Sequence, residues 1–396
     1  MAQRRAEAPA RAPRGLARAD QRRDAGRADP AVRRPGRDHG RAAARAPGVA
    51  RRPPTVLRLP PFRYHRPRTV PEAVGLLAEF GPDAMPIAGG TDLMPNMKHR
   101  LFTPAHVVSL KGIGAMRGIE VVEGPDALPG ARAPGTGKAL RIGALETLAD
   151  VAANPLVRHH FAGLADAAGL VAGPQLRNMG TIGGNVCLDT RCTYYNQTRF
   201  WRSALGYCLK KDGTVCHVTG VGKKCVAAHS ADTPPNLIAL GASLTLAGPL
   251  GERVMDASDF FVTDGIWNTR RARDEIVTGI TIPIARGRRS AYRKLRQRNS
   301  IDFPLLSVAV VGDFGETGTV KRLTGVVSAL GARPRVLAGW SELAVDGRLD
   351  GATIDALAAR AHAQCRPLDN LIVDAEWRRA MVPVYVRRAL EELSEQ

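Results

Sequence analysis

Two short segments with adjacent glycines constrain this chain more than any other feature. Pro86-Ile87-Ala88-Gly89-Gly90-Thr91-Asp92-Leu93 runs from an apolar, strand-like stretch into a turn. Arg177-Asn178-Met179-Gly180-Thr181-Ile182-Gly183-Gly184-Asn185 carries a second Gly-Gly pair about 90 residues later. Adjacent glycines let a backbone approach a ligand closely and aim successive N–H groups at one point. Thr91 and Thr181 place hydroxyls beside them. That chemistry suits a pyrophosphate. Neither segment fits GxGxxG or the Walker loop, so the common nucleotide fingerprints are weak here. Taken one at a time, each segment reads first as a tight turn.

Composition sets the frame around these segments. Of 396 residues, 44% are hydrophobic, which excludes a wholly disordered or fibrous chain. The length suits two or three domains, each with its own core. The formal charge of +20 invites a nucleic-acid reading. Half of that excess, however, falls in residues 1–52, which hold 15 Arg against 5 acidic residues, with 15 Ala and few large apolar side chains. Such a segment cannot bury enough surface to offset its ordering entropy, so residues 1–53 are expected to be a disordered Arg/Ala-rich extension. An incidental upstream extension, a basic interaction tail and a targeting peptide are all open for it. An export signal needs an apolar central stretch, which this segment lacks. No run approaches 18 apolar residues, so no membrane span is expected.

The pattern predicts a helix over Thr69–Glu79, with Thr as N-cap and an early Pro. Pro86–Ala88 and Val107–Leu110 read as strands, and helices are expected over 145–154 and 159–172. Leu237–Leu246 reads as a strand after Pro234-Pro235, and Glu275–Ile282 as another. Beyond Ser290, strands near 291–295, 307–314 and 323–330 precede helices over 353–363 and 380–392. These imply a separate α+β domain of about 100 residues.

The chain has six cysteines, and Cys187, Cys192, Cys208, Cys216 and Cys225 fall within 39 residues; Cys365 stands apart. A disulfide scaffold does not suit an unexported chain of this size. Clustered thiols suit a soft metal or an iron–sulfur site. Structural zinc usually shows a short Cys-x(2–4)-Cys pair, which only Cys187/Cys192 approaches. Iron–sulfur, zinc and unligated thiols are the three readings open on composition.

Order and spacing over a long span add more. Gly89-Gly90-Thr91-Asp92, Gly180-Thr181-Ile182-Gly183-Gly184-Asn185, Ser230-Ala231-Asp232 before Pro235-Asn236-Leu237, Asp274-Glu275-Ile276 and Tyr292-Arg293-Lys294 together resemble the FAD-binding subunits of the molybdenum hydroxylases, over about residues 56–394. Most members cross from Gly-Gly-Asn to the later Asp by a short loop. Here about 40 residues intervene between Asn185 and Asp232. This insert looks like the extra loop of the 4-hydroxybenzoyl-CoA reductase flavin subunits, which carries a [4Fe–4S] cluster.

The resemblance implies an α+β chain. A two-subdomain FAD-binding fold of the PCMH/VAO type would occupy 54–286, with an iron–sulfur insertion at 187–228. A C-terminal α+β domain of the CO dehydrogenase flavoprotein type would occupy 287–396. It implies FAD held by Ala88, Gly89, Gly90, Thr91, Asp92, Leu93, Gly180, Thr181, Gly183, Gly184 and Asn185. Asp232 would accept from ribityl or ribose hydroxyls, and Val277 and Lys294 would lie near the isoalloxazine. Cys192, Cys208, Cys216 and Cys225 would ligate the cluster, leaving Cys187 and Cys365 as packed thiols. His217 and His229 stand near the insert, and Tyr194, Tyr195 and Trp201 would pack over it. Arg191, Arg199, Arg202, Lys210, Lys211, Lys223 and Lys224 would form a basic rim facing an acidic donor such as ferredoxin, or simply a solvated loop. The implied assembly is a cytoplasmic dimer of heterotrimers with a large molybdenum-cofactor subunit and a small [2Fe–2S] subunit. The chain itself would transfer electrons and carry no catalytic residue. Three rivals stand beside this: a hydroxylase subunit for xanthine, CO or an aromatic or aldehyde substrate, a basic zinc-containing nucleic-acid binder, and a scaffold subunit that has lost its flavin.

Overall fold

The computed structural model describes residues 57–124 and 137–396. The disorder expected of residues 1–53 therefore lies outside the described residues.

Thr69 sets where the first helix begins. Its hydroxyl accepts from the N–H of Glu72, and the Glu72 carboxylate in turn accepts from the N–H of Arg68 at 2.8 Å. With Pro71 in the first turn, these caps start the helix Val70–Phe80. Its Ala73, Val74 and Leu77 face inward. The helix connects β1 (Arg63–His65) to β2 (Ala84–Ile87), and both pair in parallel with β3 (His106–Ser109) between them. A second sheet is antiparallel, in the order β4 (Ile119–Glu123), β5 (Lys138–Gly143), β8 (Ile276–Pro283), β6 (Ser243–Gly248), β7 (Gly251–Asp256). A third, also antiparallel, runs β12 (Arg335–Val336), β11 (Val320–Ser328), β10 (Leu306–Phe314), β9 (Arg288–Leu295).

The stretch 237–246 departs from the expected single strand. Thr233–Leu240 is a helix, ended by Gly241 in the left-handed conformation, and the strand starts only at Ser243. Pro234 and Pro235 occupy its first turn, where a missing N–H costs nothing. Every residue of this helix is buried, so it shows no polar face for a helical period to reveal.

The C-terminal sheet is covered on both faces. Tyr292, Ala309, Val311 and Val326 join the core of the first part, against helices Ala162–Gly169 and Thr233–Leu240. Ala291, Val308, Val310 and Val327 face the other way, onto helices Gly351–Gln364 and Ala375–Glu395. Burial on both faces explains why β10 reads as a nearly unbroken apolar run. Among the described residues, no helix is long and apolar enough to cross a membrane.

Two buried polar groups tie distant segments together. His229 is fully buried. Its Nδ1 lies 2.8 Å from Ser328 Oγ, and its ring meets Phe261 edge-on. Arg378, also fully buried, donates to the carbonyls of Leu305 (3.0 Å), Leu368 (2.9 Å) and Ala329 and to Asn370 Oδ1 (3.2 Å). Asn370 in turn receives the N–H of Thr193 and donates to the carbonyl of Val226, clamping both ends of the cysteine segment.

Replacing Arg378 with Met strands four acceptors and is expected to lower the unfolding free energy by about 3 kcal/mol. Urea denaturation checks this, and an unchanged midpoint contradicts it. Burial depresses the His229 pKa from 6.5 to about 3. Above pH 6.5 both states are neutral there. Below it the unfolded chain takes a proton that the folded chain refuses until about pH 3. Stability therefore falls with acidification across that window, by up to about 1.4 kcal/mol per pH unit. His229→Gln should flatten this slope in urea midpoints taken at pH 7 and pH 5; an unaltered slope counts against the assignment.

Candidate functional site

A cavity of about 410 Å³ lies where the two glycine segments meet. Its wall includes Ala88, Gly89, Gly90, Thr91, Asp92, Leu93, Gly180, Thr181, Gly183, Gly184, Asn185, Asp232 and Val277. Of the residues expected to hold a flavin cofactor, only Lys294 is absent from it.

Gly89 makes the meeting close. A Cβ there would collide with the Met179 carbonyl and stand 2.9 Å from the Gly180 Cα, so backbone lies directly on backbone. The N–H groups of Gly89, Gly90, Thr91 and Asp92 have no partner among the described residues. They leave a run of donors at the end of β2, before the helix Leu93–Lys98. The second segment differs from expectation. It forms one helical turn, Ile182–Val186, and most of its N–H groups are bonded within the protein, the Thr181 N–H being the exception among the described residues. Gly180 donates to Leu176, Ile182 to Glu146 and Gly183 to Ala144. The Thr181 hydroxyl accepts from the N–H of Gly184 at 3.1 Å. The first segment therefore has a run of main-chain donors free for an anion, and the second has the single N–H of Thr181.

Asp232 lies on the wall, but its carboxylate is held from behind. The Tyr292 hydroxyl donates to it at 2.7 Å, and Lys294 Nζ lies 3.0 Å from Oδ1. Burial pushes the Asp232 pKa up, and Lys294 with the Tyr292 hydroxyl draws it back. Lys294 also donates to the Leu170 carbonyl at 3.0 Å. It is thus a buried brace behind the wall and does not reach the cavity as expected. The Asn185 side-chain oxygen is likewise engaged, by the N–H and hydroxyl of Thr233 at 3.1 and 2.7 Å.

Sequence reasoning missed one wall. Arg191 pairs with Asp92 and lies over the Phe303 ring, 4.1 Å from its centroid. Burial raises the Asp92 pKa, and Arg191 opposes that rise. Asp189, Ile301, Phe303 and Arg271 also line the cavity. Nothing local marks Phe303, which arrives from the C-terminal part of the chain. In the sequence Arg191 groups with the basic rim.

A second, far smaller cavity is lined by Cys192, Cys208, Cys216 and Cys225, with Tyr194, Tyr195, Lys210 and His217. All four thiols are free and buried. Burial pushes the Cys192 thiol up to about 11, and the other three thiols contribute to that rise. At Cys216 burial also raises the pKa. Hydrogen bonds from the Thr219 hydroxyl and from the N–H groups of Thr219, Val218 and Val226 outweigh it and hold that thiol below its ordinary value. Among the described residues, no group of three or more His, Cys, Asp or Glu is arranged to hold a metal ion.

Cys187 lies on the larger cavity, and Cys365 is packed in the C-terminal core. His229 is not on the cysteine cavity, and Trp201 is partly exposed away from it. The basic rim is smaller than expected. Arg199, Lys223 and Lys224 are exposed, whereas the Arg202 and Lys210 side chains are 1% and 4% exposed.

A cavity of this size, lined by free N–H groups and by many apolar side chains, fits a dinucleotide better than a small metabolite. Comparison with known proteins agrees. Residues 60–285 match the FAD binding domain in molybdopterin dehydrogenase, and residues 290–393 match the CO dehydrogenase flavoprotein C-terminal domain. The carbon monoxide dehydrogenase medium chain of Hydrogenophaga pseudoflava is 32% identical over 340 residues, covering 84% of this chain and 96% of that one. The aldehyde oxidoreductase FAD-binding subunit of Escherichia coli is 33% identical over 313 residues, covering 76% and 91%. A solved structure of the Hydrogenophaga pseudoflava carbon monoxide dehydrogenase superposes with a TM-score of 0.66 at 29% identity, over 85% of this chain and 98% of that chain. The chain belongs to the FAD-binding subunits of the molybdenum hydroxylase family.

Proposed function

We propose that this chain is the electron-transfer subunit of a molybdenum oxidoreductase, and that Cys192, Cys208, Cys216 and Cys225 hold a [4Fe–4S] cluster beside its FAD. The observation that carries the second half is the set of four buried thiols around one cavity, in an insert opening directly off the FAD wall. Medium subunits of this family normally have no such cluster, so the insert sets this chain apart. The medium-chain relatives support large and small partner subunits.

Bound FAD would supply the relay between one-electron carriers and the molybdenum partner. The N–H groups of Gly89–Asp92 would take the pyrophosphate oxygens. Arg191, neutralised in part by Asp92, would stand beside it. Gly180, Gly183, Gly184 and Asn185 would form the facing wall by shape, their N–H groups being already bonded, and the free N–H of Thr181 would add one donor from that side. Asp232, fixed by Tyr292 and Lys294, would present its remaining acceptor capacity to ribityl or ribose hydroxyls. Val277, Ile301 and Phe303 would exclude water from the flavin ring.

The cluster ligands favour the 4-hydroxybenzoyl-CoA reductase role. There, two electrons and two protons convert 4-hydroxybenzoyl-CoA to benzoyl-CoA and water on the molybdenum subunit. An acidic, ferredoxin-like donor would dock by Arg199, Lys223 and Lys224. The complex would be a dimer of heterotrimers in the cytoplasm. The carbon monoxide and aldehyde relatives support a second reading, a hydroxylase subunit for another substrate.

Iron and flavin analysis of the anaerobically purified full chain separates these. About four irons and one FAD per chain support the cluster; FAD without iron supports the second reading. Cys208→Ser should lose most of the iron while retaining FAD, because its thiol lies on the smaller cavity only. Iron retained in full by that variant argues against the ligand set.

A further inference from the structure

Lys210 occupies an unusual place for a lysine in a surface insert. Its stem lines the cysteine cavity, two residues after Cys208. Its ammonium is buried, with the side chain 4% exposed. Nζ lies 2.7 Å from Asp189 Oδ1, 2.7 Å from the Gly265 carbonyl and 3.2 Å from the Thr190 carbonyl, and within hydrogen-bond reach of the Thr190 hydroxyl. It also sits 4.5 Å from the centroid of the buried Tyr195 ring. Three ammonium protons thus meet more acceptors than they can serve, a fully satisfied buried cation.

Its partner Asp189 faces the other way. Asp189 lines the larger cavity, and its carboxylate also accepts the N–H of Thr190 at 2.9 Å. One ion pair therefore spans the partition between the two cavities, negative end on the FAD wall and positive end on the cysteine wall. The partition itself is thin. Gly265, whose carbonyl receives both Lys210 and the Thr190 hydroxyl (2.5 Å), has its ideal Cβ position only 2.7 Å from Cys225 Sγ.

We infer that Lys210 and Asp189 are positioning residues that form an oriented charge pair between the flavin and cysteine sites and set the flavin potential. This rests on FAD occupying the larger cavity; its coupling to a cluster rests on the proposed function. Reduction adds negative charge to the flavin. A carboxylate on its wall opposes that, and the ammonium behind the carboxylate offsets the opposition. Removing Lys210 leaves Asp189 uncompensated, whereas removing the Asp189 charge leaves the cation uncompensated. The two changes act with opposite sign.

The test is a dye-coupled reductive titration of the full chain with bound FAD, at pH 8, for Lys210→Met, Asp189→Asn and the double variant. Lys210→Met should weaken the preference for reduced over oxidised FAD about tenfold, which lowers a two-electron midpoint by about 30 mV. Asp189→Asn should raise the midpoint, and the double variant should return toward wild type. Midpoints that do not move, or that move in the same direction in both single variants, overturn the inference. A purely structural brace would show itself as parallel loss of FAD in all three. Iron content is read on the same samples. A chain without iron removes the cluster proposal alone, since the flavin shifts are measured without it.

Discussion

The contact of Gly89 with the Met179 carbonyl is the constraint on which the rest of this molecule depends. It lets the end of a parallel sheet lie against a segment braced on the antiparallel sheet, with no side chain between them. The cavity is what remains beside that contact. The first segment keeps its N–H groups free because it only touches its neighbour. The second has most of its N–H groups bonded, because it is laced to Ala144, Glu146 and Leu176, and keeps only that of Thr181 without a partner among the described residues. One wall offers a run of donors to an anion, and the other is a fixed shape with a single free N–H, that of Thr181.

Buried charge, satisfied locally, joins the remaining parts to this contact. Lys294 reaches from the C-terminal sheet to Asp232 and Leu170. Arg378 and Asn370 reach from the last loop and helix to the ends of the cysteine insert. Within the insert, Lys210 reaches from the cysteine cavity to Asp189 on the wall of the larger one. Each of these cations would be costly to strand, because a lone buried charge has no water to replace its partner. The FAD wall, the insert and the C-terminal sheet are therefore mechanically linked, a useful property where electrons must pass between fixed centres.

Much of this was legible in the sequence because it is local. Thr69, Pro71 and Glu72 announce a helix start by short-range hydrogen bonds. The glycine segments announce a backbone that can be approached closely, whereas the clustered cysteines mark a region only, and it took the family resemblance to separate Cys187 from the four that share the smaller cavity. What was not legible depends on direction and distance. Lys294 is in the right neighbourhood but points behind the wall, and residue type alone carries no orientation. Arg191 and Phe303 meet across more than a hundred positions, with no signal at either end. Lys210 read as part of a solvated rim because its acceptors, Asp189, Thr190 and Gly265, are assembled only by the fold. The helix Thr233–Leu240 was hidden by burial on every side. Net charge misled, since half of the excess lies in the N-terminal 52 residues, outside the family match.

The most direct test of the central claim is equilibrium FAD binding to Gly89→Ala, followed by flavin fluorescence, with Gly75→Ala as control. Gly75 sits in the first helix with nothing within 4 Å of an added Cβ. The account predicts that Gly89→Ala keeps the far-ultraviolet circular dichroism of the parent but loses most of its FAD affinity, while Gly75→Ala binds normally. A Gly89→Ala chain that binds FAD as tightly as the parent would contradict it.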